Sequence, residues 1–294
     1  MRGVVSAFRQ AVDDIRAGRP ANIADLVALT EGQKQTHGAF APFHEADLPA
    51  TIERLERAGK TVILSTLAEV MLKRERKATA ELAAMDAPEL EINNAAGLYA
   101  RAGRPHRIGP FMNAYNEATI AWMVGQGATH VSLPCEMPAT AVAFAAKAAR
   151  DLGVGVEVQV FGRASLAVSA RCYHARAHGR TKDNCQFVCE EDRDGMPLRT
   201  TDDRPILRVN GIQTQSESYV DLLPEMGRLR ADGVTHFRLM PQAVDMVSVA
   251  SVFHGVLGGA IALDEAEGAL RKLCGEAPFS NGFYYGQAGC RHVA

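Results

Sequence analysis

Short apolar, β-branched runs recur along this chain with helical stretches between them. The runs ADLVAL (24–29), TVILST (61–66), LEINNA (90–95), HRIGPFMN (106–113), HVSLP (130–134), VEVQVF (156–161), ILRVNG (206–211) and HFRLMP (236–241) read as strands. Several follow a glycine-containing turn, in RAGKTVIL, QGATHVSL, DLGVGVEV and ADGVTHFRL, the mark of a helix that ends on glycine and feeds a buried strand. Between the runs, LPATIERLERAG sets Leu48, Ile52 and Leu55 on one stripe, with Glu53, Arg54 and Arg57 outside it. AVAFAAKAARDLG is alanine-rich and suited to close packing on a sheet. The opening VVSAFRQAVDDIRAG also reads as a helix. Strands alternating with helices predict an α/β fold with a parallel sheet, a TIM-type barrel that is incomplete or irregular at its N-terminus. The alternative, a doubly wound open sheet, lacks its usual GxGxxG after a strand.

The rhythm breaks between VEVQVF and ILRVNG. That interval holds Cys172, Cys185 and Cys189, followed by the polar stretch EEDRDGMPLRTTDDRP. Connections of such length are usually functional or disordered, and an insertion after a barrel strand lies on the catalytic face. The chain is therefore read as a single barrel-like domain over 1–294 with a cysteine-bearing insertion at 163–205.

Composition narrows the chemistry. A net charge of −2 leaves no basic excess for nucleic acid, and 47% hydrophobic with 22% charged residues is an ordinary globular balance. The N-terminus has no signal-peptide core, Asp13 and Asp14 argue against a transit peptide, and no apolar window reaches membrane-span length. A cytoplasmic location follows, where clustered cysteines more often bind metal or act in redox chemistry than form disulfides.

Cys185 and Cys189 are four positions apart, so one helical turn would aim both sulfurs the same way, and the bridge HARAHGRTKDN is long enough to fold Cys172 back to them. Three converging thiolates are the geometry of a zinc or an iron–sulfur site. The plainer reading is three cysteines buried as small hydrophobes, against which Lys182, Asp183, Asn184 and Glu190 make this a polar neighbourhood. His174 and His178 flank Cys172, which keeps a Cys/His zinc site open beside the plainer reading of an exposed histidine pair. Cys135, in SLPCEMP, ends a strand and reads equally as core or as part of a barrel-top site. Cys274, in LRKLC, reads as packing and Cys290 as peripheral. Phe283, Tyr284 and Tyr285 form an aromatic group suited to the core or to an interface. HExxH, GxSxG and Walker A sequences are absent, and clustered cysteines fit poorly with a single activated thiolate and its base.

Five phrases carry a resemblance: SARCYHARAHGRTKDNCQFVC, GKTVILSTLAEV (59–70), GPFMNAYNEATI (109–120), RVNGIQTQS (208–216) and RLMPQAVDM (238–246). In this order they resemble the collagenase-like peptidase family, and within it an iron–sulfur branch, from about position 45 to the end. The resemblance implies a TIM-barrel-based protein holding a [4Fe–4S] cluster through four cysteines, with Cys172, Cys185 and Cys189 as the last three ligands. It also implies a heterodimer with a similar iron–sulfur chain, and a part in oxygen-independent hydroxylation in ubiquinone biosynthesis rather than proteolysis. The ubiquinone precursor would be presented through an accessory lipid-binding protein. The family's first ligand lies in a phrase like GEVVCSKR. Counting back from Ser65, that place is held here by His37, in EGQKQTHGAFAPF. The alternatives are His37 as fourth ligand, Cys135 in its stead, or a three-cysteine site with an open iron. A structural zinc held by the triplet plus one histidine, and a peptidase, are the competing readings.

Overall fold

A computed structural model describes residues 27–30, 48–85 and 89–294. Its strands form one curled sheet of mixed direction. Strands β1 (Val27–Thr30), β2 (Val62–Ser65), β3 (Leu90–Ile92), β4 (His106–Ile108), β5 (Ala128–Ser132) and β6 (Gly155–Val168) pair in that order, each parallel to the next. The crossovers are helices α1 (Leu48–Arg57), α2 (Lys73–Ala84), α3 (Ala95–Arg101), α4 (Glu117–Gly125) and α5 (Ala139–Asp151). Strand β10 (His236–Leu239) adds a further parallel neighbour to the lower half of β6.

Local chemistry explains the helix starts. Asn94 accepts from Gly97 N at 2.7 Å and Asn116 from Thr119 N at 2.9 Å, and Asp245 caps α8 (Met246–Leu257) through Val247 N and Ser248 N. Glu75 folds back to accept from Leu72 N and Met71 N at the head of α2. In α5 the buried face is Val142, Ala145, Ala146 and Ala149, so the alanines let the helix lie close on the sheet. That core runs on through Val156, Val158, Val160 and Phe161 of β6 to Phe253 of α8.

The expected barrel is only partly realised. The parallel rhythm holds for seven strands, but among the described residues no pairing closes β10 onto β1. The run ILRVNG, expected as a barrel strand, instead lies in β8 (Pro205–Asn210), which pairs antiparallel with β7 (Met196–Arg199) and β9 (Gln213–Asp221). The cause lies in β6. It is fourteen residues long, and beyond Phe161 its partner becomes β9, antiparallel. Gly162 sits at this change with φ +96°, and a β-carbon there would press into Met240. Strand β6 therefore serves the barrel with its lower half and an antiparallel lobe with its upper half. Helices α7 (Met226–Asp232) and α9 (Leu263–Cys274) and the short strand β11 (Phe279–Ser280), parallel to the end of β9, complete the chain. Tyr284 joins the core, while Tyr285 is partly exposed and donates to Glu225. The opening helix and His37 lie outside the described residues.

The curl of the sheet is fixed from inside. Arg238 of β10 donates to Glu157 of β6 and to Glu91 of β3, although three strands separate β10 from β3 in the pairing order. Ser132 donates to Glu157 at 2.5 Å and accepts from Arg238 at 3.2 Å. On the far side Asn93 and Ser65 both donate to Glu91, at 2.8 and 3.1 Å. Burial alone would push the Glu157 carboxyl up, but the Arg238 charge, the nearby His130 and the bonds from Ser132 and Arg238 together outweigh it and hold Glu157 at about 2.

Removing one partner of a buried ion pair strands the other charge. Arg238→Met is expected to lower unfolding free energy by roughly 3–5 kcal/mol in urea at neutral pH. The acid limb carries a second signature. Because Glu157 is depressed in the fold, its contribution is complete above the unfolded carboxylate value and is lost as pH falls from about 4 toward about 2. Glu157→Gln should flatten that part of the stability profile.

Candidate functional site

The strand ends open into a cavity of about 390 Å³. Its floor is the Glu91–Arg238–Glu157 network, and its rim carries Phe111, Asn113, Cys135, Glu136, Gln159, Gln213 and the upper part of β6 from Ser165 to Val168. This is the C-terminal end of the parallel strands, where barrel proteins place their chemistry. Cys135, three residues beyond β5, lines this rim and also packs against the core, with its thiol 3.5 Å from a Glu136 oxygen. Burial first, and the Glu136 charge second, push that thiol up to about 12. A neighbouring carboxylate that raises a thiol is the opposite of the cationic setting that activates a nucleophilic cysteine.

The antiparallel lobe stands beside this mouth and carries the cysteine triplet. Cys172 heads α6 (Tyr173–Ala177), where its sulfur accepts from Ala175 N at 3.3 Å. Cys172 packs with Ala175 and Ile212, and Val168 and Cys185 lie against that group. Val168 therefore has the cavity on one side and the thiol cluster on the other. Cys185 and Cys189 do not share a helical turn. A short 3-10 turn at Lys182–Asn184 precedes Cys185, another at Val188–Glu190 contains Cys189, and between them Gln186 and Phe187 adopt φ of +46° and +54°. The left-handed step breaks the turn and lets Phe187 N donate to the Cys185 sulfur at 3.5 Å. Backbone amides aimed at thiolate sulfur are among the features that tune iron–sulfur sites.

The structure brings the three thiols into electrostatic reach of one another. Burial raises the Cys172 thiol, with the Cys185 charge adding to it. Burial likewise pushes Cys189 up to about 12, and the charges of Cys172 and Cys185 come next. Cys135 is set apart, since its electrostatic neighbour is Glu136 and not the triplet. Three thiols that oppose each other's ionisation need a cation to ionise together, and a metal centre supplies it. The donor set fits an iron–sulfur cluster for three of its ligands. His174 is fully buried while His178 is exposed, so the expected exposed pair is half realised. Cys274 packs in the core and Cys290 is exposed, as their contexts suggested.

Ion pairs tie the lobe down at each end. Lys182 reaches Glu75 at the head of α2 at 3.2 Å, where Glu75 is buried and Lys182 half-buried. Arg163 of β6, only 2% exposed, pairs with Asp194 at 2.5 Å, donates to Ser216 O at 2.9 Å and lies over the Tyr219 ring. Arg208 grips Glu217 through two bonds, at 2.7 and 2.9 Å. Sequence reasoning missed the network on the cavity floor. The signal was nonetheless present: Glu91, Glu157 and Arg238 each place a charge inside a parallel strand, and such strands are normally apolar on both faces.

A partly open parallel α/β barrel with a thiol-bearing lobe at its mouth defines the class. Residues 21–294 match the model of peptidase family U32, and the chain belongs to that family. No solved structure matches it.

Burial, and at half-buried Cys135 the neighbouring Glu136 charge, order the reactivity of the thiols. In the metal-free chain at about pH 8, iodoacetamide should label exposed Cys290 and half-buried Cys185 well before Cys135, Cys172, Cys189 and Cys274. Mass spectrometry of the time course reads the order, and labelling of Cys189 as fast as Cys290 would refute the buried placement.

Proposed function

We propose that this chain is a UbiV-like iron–sulfur protein. In this reading it acts with a UbiU-like partner, as a heterodimer, in oxygen-independent hydroxylation of a ubiquinone precursor. Cys172, Cys185 and Cys189 hold a [4Fe–4S] cluster, with His37 proposed as the fourth ligand. The observation that carries the reading is the gathering of the three thiols on one lobe, with Val168 packed against the Cys172 group on one side and lining the barrel-mouth cavity on the other.

When bound, the cluster supplies one-electron transfer. The chain's own residues do the rest. The Ala175 and Phe187 amides stabilise thiolate sulfur, the Lys182–Glu75 and Arg163–Asp194 pairs fix the lobe against the barrel, and Val168 with Leu166 gives the cavity an apolar wall toward the cysteines. The Glu91–Arg238–Glu157 network leaves fixed polar groups at the cavity floor for hydroxyl or carboxylate substituents of a ring. The peptidase reading has no support at Cys135, whose thiol is raised rather than activated. No helix among the described residues is long and apolar enough to cross a membrane. In this reading an accessory lipid-binding protein presents the lipid-tailed precursor.

Protein purified without oxygen should absorb broadly in the visible through thiolate-to-iron charge transfer and contain about four irons per chain. Cys172→Ser, Cys185→Ser and Cys189→Ser should each lose most of that iron. Colourless protein after anaerobic reconstitution would reject the cluster, and one zinc per chain with a sulfur shell in its X-ray absorption would identify the structural-zinc alternative.

A further inference from the structure

We propose that His174, His178 and Asp192 form a second metal site, for one divalent ion of the zinc or ferrous class, separate from the three thiols. The proposal does not rest on the iron–sulfur reading. One ligand atom from each of these residues lies within 4.8 Å of the others, and no cysteine belongs to the group.

The ring nitrogens give the argument. His174 and His178 are four apart, at the start and the cap of α6, and their rings stack at 5.4 Å between centroids with 12° between planes. His174 Nδ1 lies 3.1 Å from Val209 O, and His178 Nδ1 lies 3.0 Å from His174 O. A carbonyl oxygen only accepts, so each Nδ1 carries a hydrogen, and in the neutral ring each Nε2 presents its lone pair. His174 is fully buried, and its Nε2 makes no hydrogen bond. Yet Asp192 Oδ2 stands 2.8 Å from that nitrogen. With the ring neutral, two lone pairs held face to face at this distance repel, so either a second ring proton or a bound cation sits at this contact.

The surroundings match a ligated metal in a further way. Metal-binding histidines almost always donate their other ring N–H to a carbonyl or carboxylate, which fixes tautomer and orientation, and both rings do so here. Two imidazoles and one carboxylate prefer zinc or ferrous iron to calcium or magnesium, and a three-ligand set leaves coordination positions open. His178 is exposed and Asp192 half-buried, so the open side faces solvent. His174 follows Cys172 by two residues and Asp192 follows Cys189 by three. A metal here would pin together both ends of the cysteine segment.

The test uses the full chain with Cys172, Cys185 and Cys189 all changed to serine, stripped of metal and titrated with Co²⁺ alone. Serine keeps the capping role of Cys172. The expected result is saturable ligand-field absorption from one cobalt, without sulfur-to-cobalt charge transfer, that Zn²⁺ displaces. His178→Ala and Asp192→Asn should each weaken Co²⁺ binding by more than the roughly 10–100-fold that loss of an outer-sphere partner costs. A folded triple variant that binds no cobalt overturns the proposal, and so does binding that both substitutions leave unchanged. Such a result would assign the 2.8 Å contact to a protonated histidine. Should the triple variant not fold, the same question is put to the wild-type chain purified with zinc. There His178→Ala should remove a zinc whose X-ray absorption shows only nitrogen and oxygen neighbours, while visible absorption from any cluster is unchanged. Zinc retained by that variant, or a sulfur shell around it, overturns the proposal. Colourless protein bears on the iron–sulfur reading alone.

Discussion

A guanidinium inside the curled sheet is the constraint on which the architecture turns. Arg238 bonds Glu157 next to it and Glu91 across the mouth, so a single side chain ties β10, β6 and β3. A flat sheet could not satisfy both carboxylates, because the strands between them would hold the charges too far apart. Burying three ions is expensive in itself, and the arrangement is tolerable only because Ser65, Asn93 and Ser132 satisfy the remaining acceptor positions. The network therefore specifies a geometry more than it adds stability. It brings several strand ends to a common floor, and the cavity is the space above that floor.

The thiol lobe depends on the same sheet through β6. Its lower half pairs with β5 and β10, and its upper half leaves the barrel to pair with β9. Because the two halves are one strand, the lobe cannot shift without disturbing the cavity wall that runs from Ser165 to Val168. Arg163 sits just above the change of partner at Gly162 and holds Asp194, which follows the cysteine segment. Lys182 holds the other side of the segment to Glu75. The cysteines therefore lie on a clamped excursion beside the mouth, and not on a free loop.

How far this was legible in the sequence follows from the physics of each part. Parallel strands buried on both faces and fed by glycine-ended helices leave a strong local pattern, and β2 to β6 and β10 fell where the apolar runs placed them. Strand β9 was not legible. QTQSESYVD is polar because it packs in the lobe, where Gln213, Gln215, Ser216 and Ser218 are buried through hydrogen bonds and not through apolar contact. The turn between Cys185 and Cys189 was misjudged for a related reason. Spacing of four is compatible with a helix, but Gln186 and Phe187 take left-handed conformations that neither residue type announces. Arg238, Glu91 and Glu157 were visible as charges in apolar strands, yet only the closing of the sheet reveals that they meet. His174 and Asp192 are eighteen positions apart, and only the fold of the lobe shows them facing one another.

The central claim is that the thiol triplet beside the barrel mouth is an iron–sulfur ligand set. Mössbauer spectroscopy of the chain, expressed with isotopically enriched iron and kept free of oxygen, tests it most directly. The account predicts paired, valence-delocalised iron in a tetrahedral sulfur environment, lost when Cys172, Cys185 or Cys189 becomes serine. A spectrum showing only isolated ferrous iron with nitrogen and oxygen neighbours, unchanged by those substitutions, would contradict it.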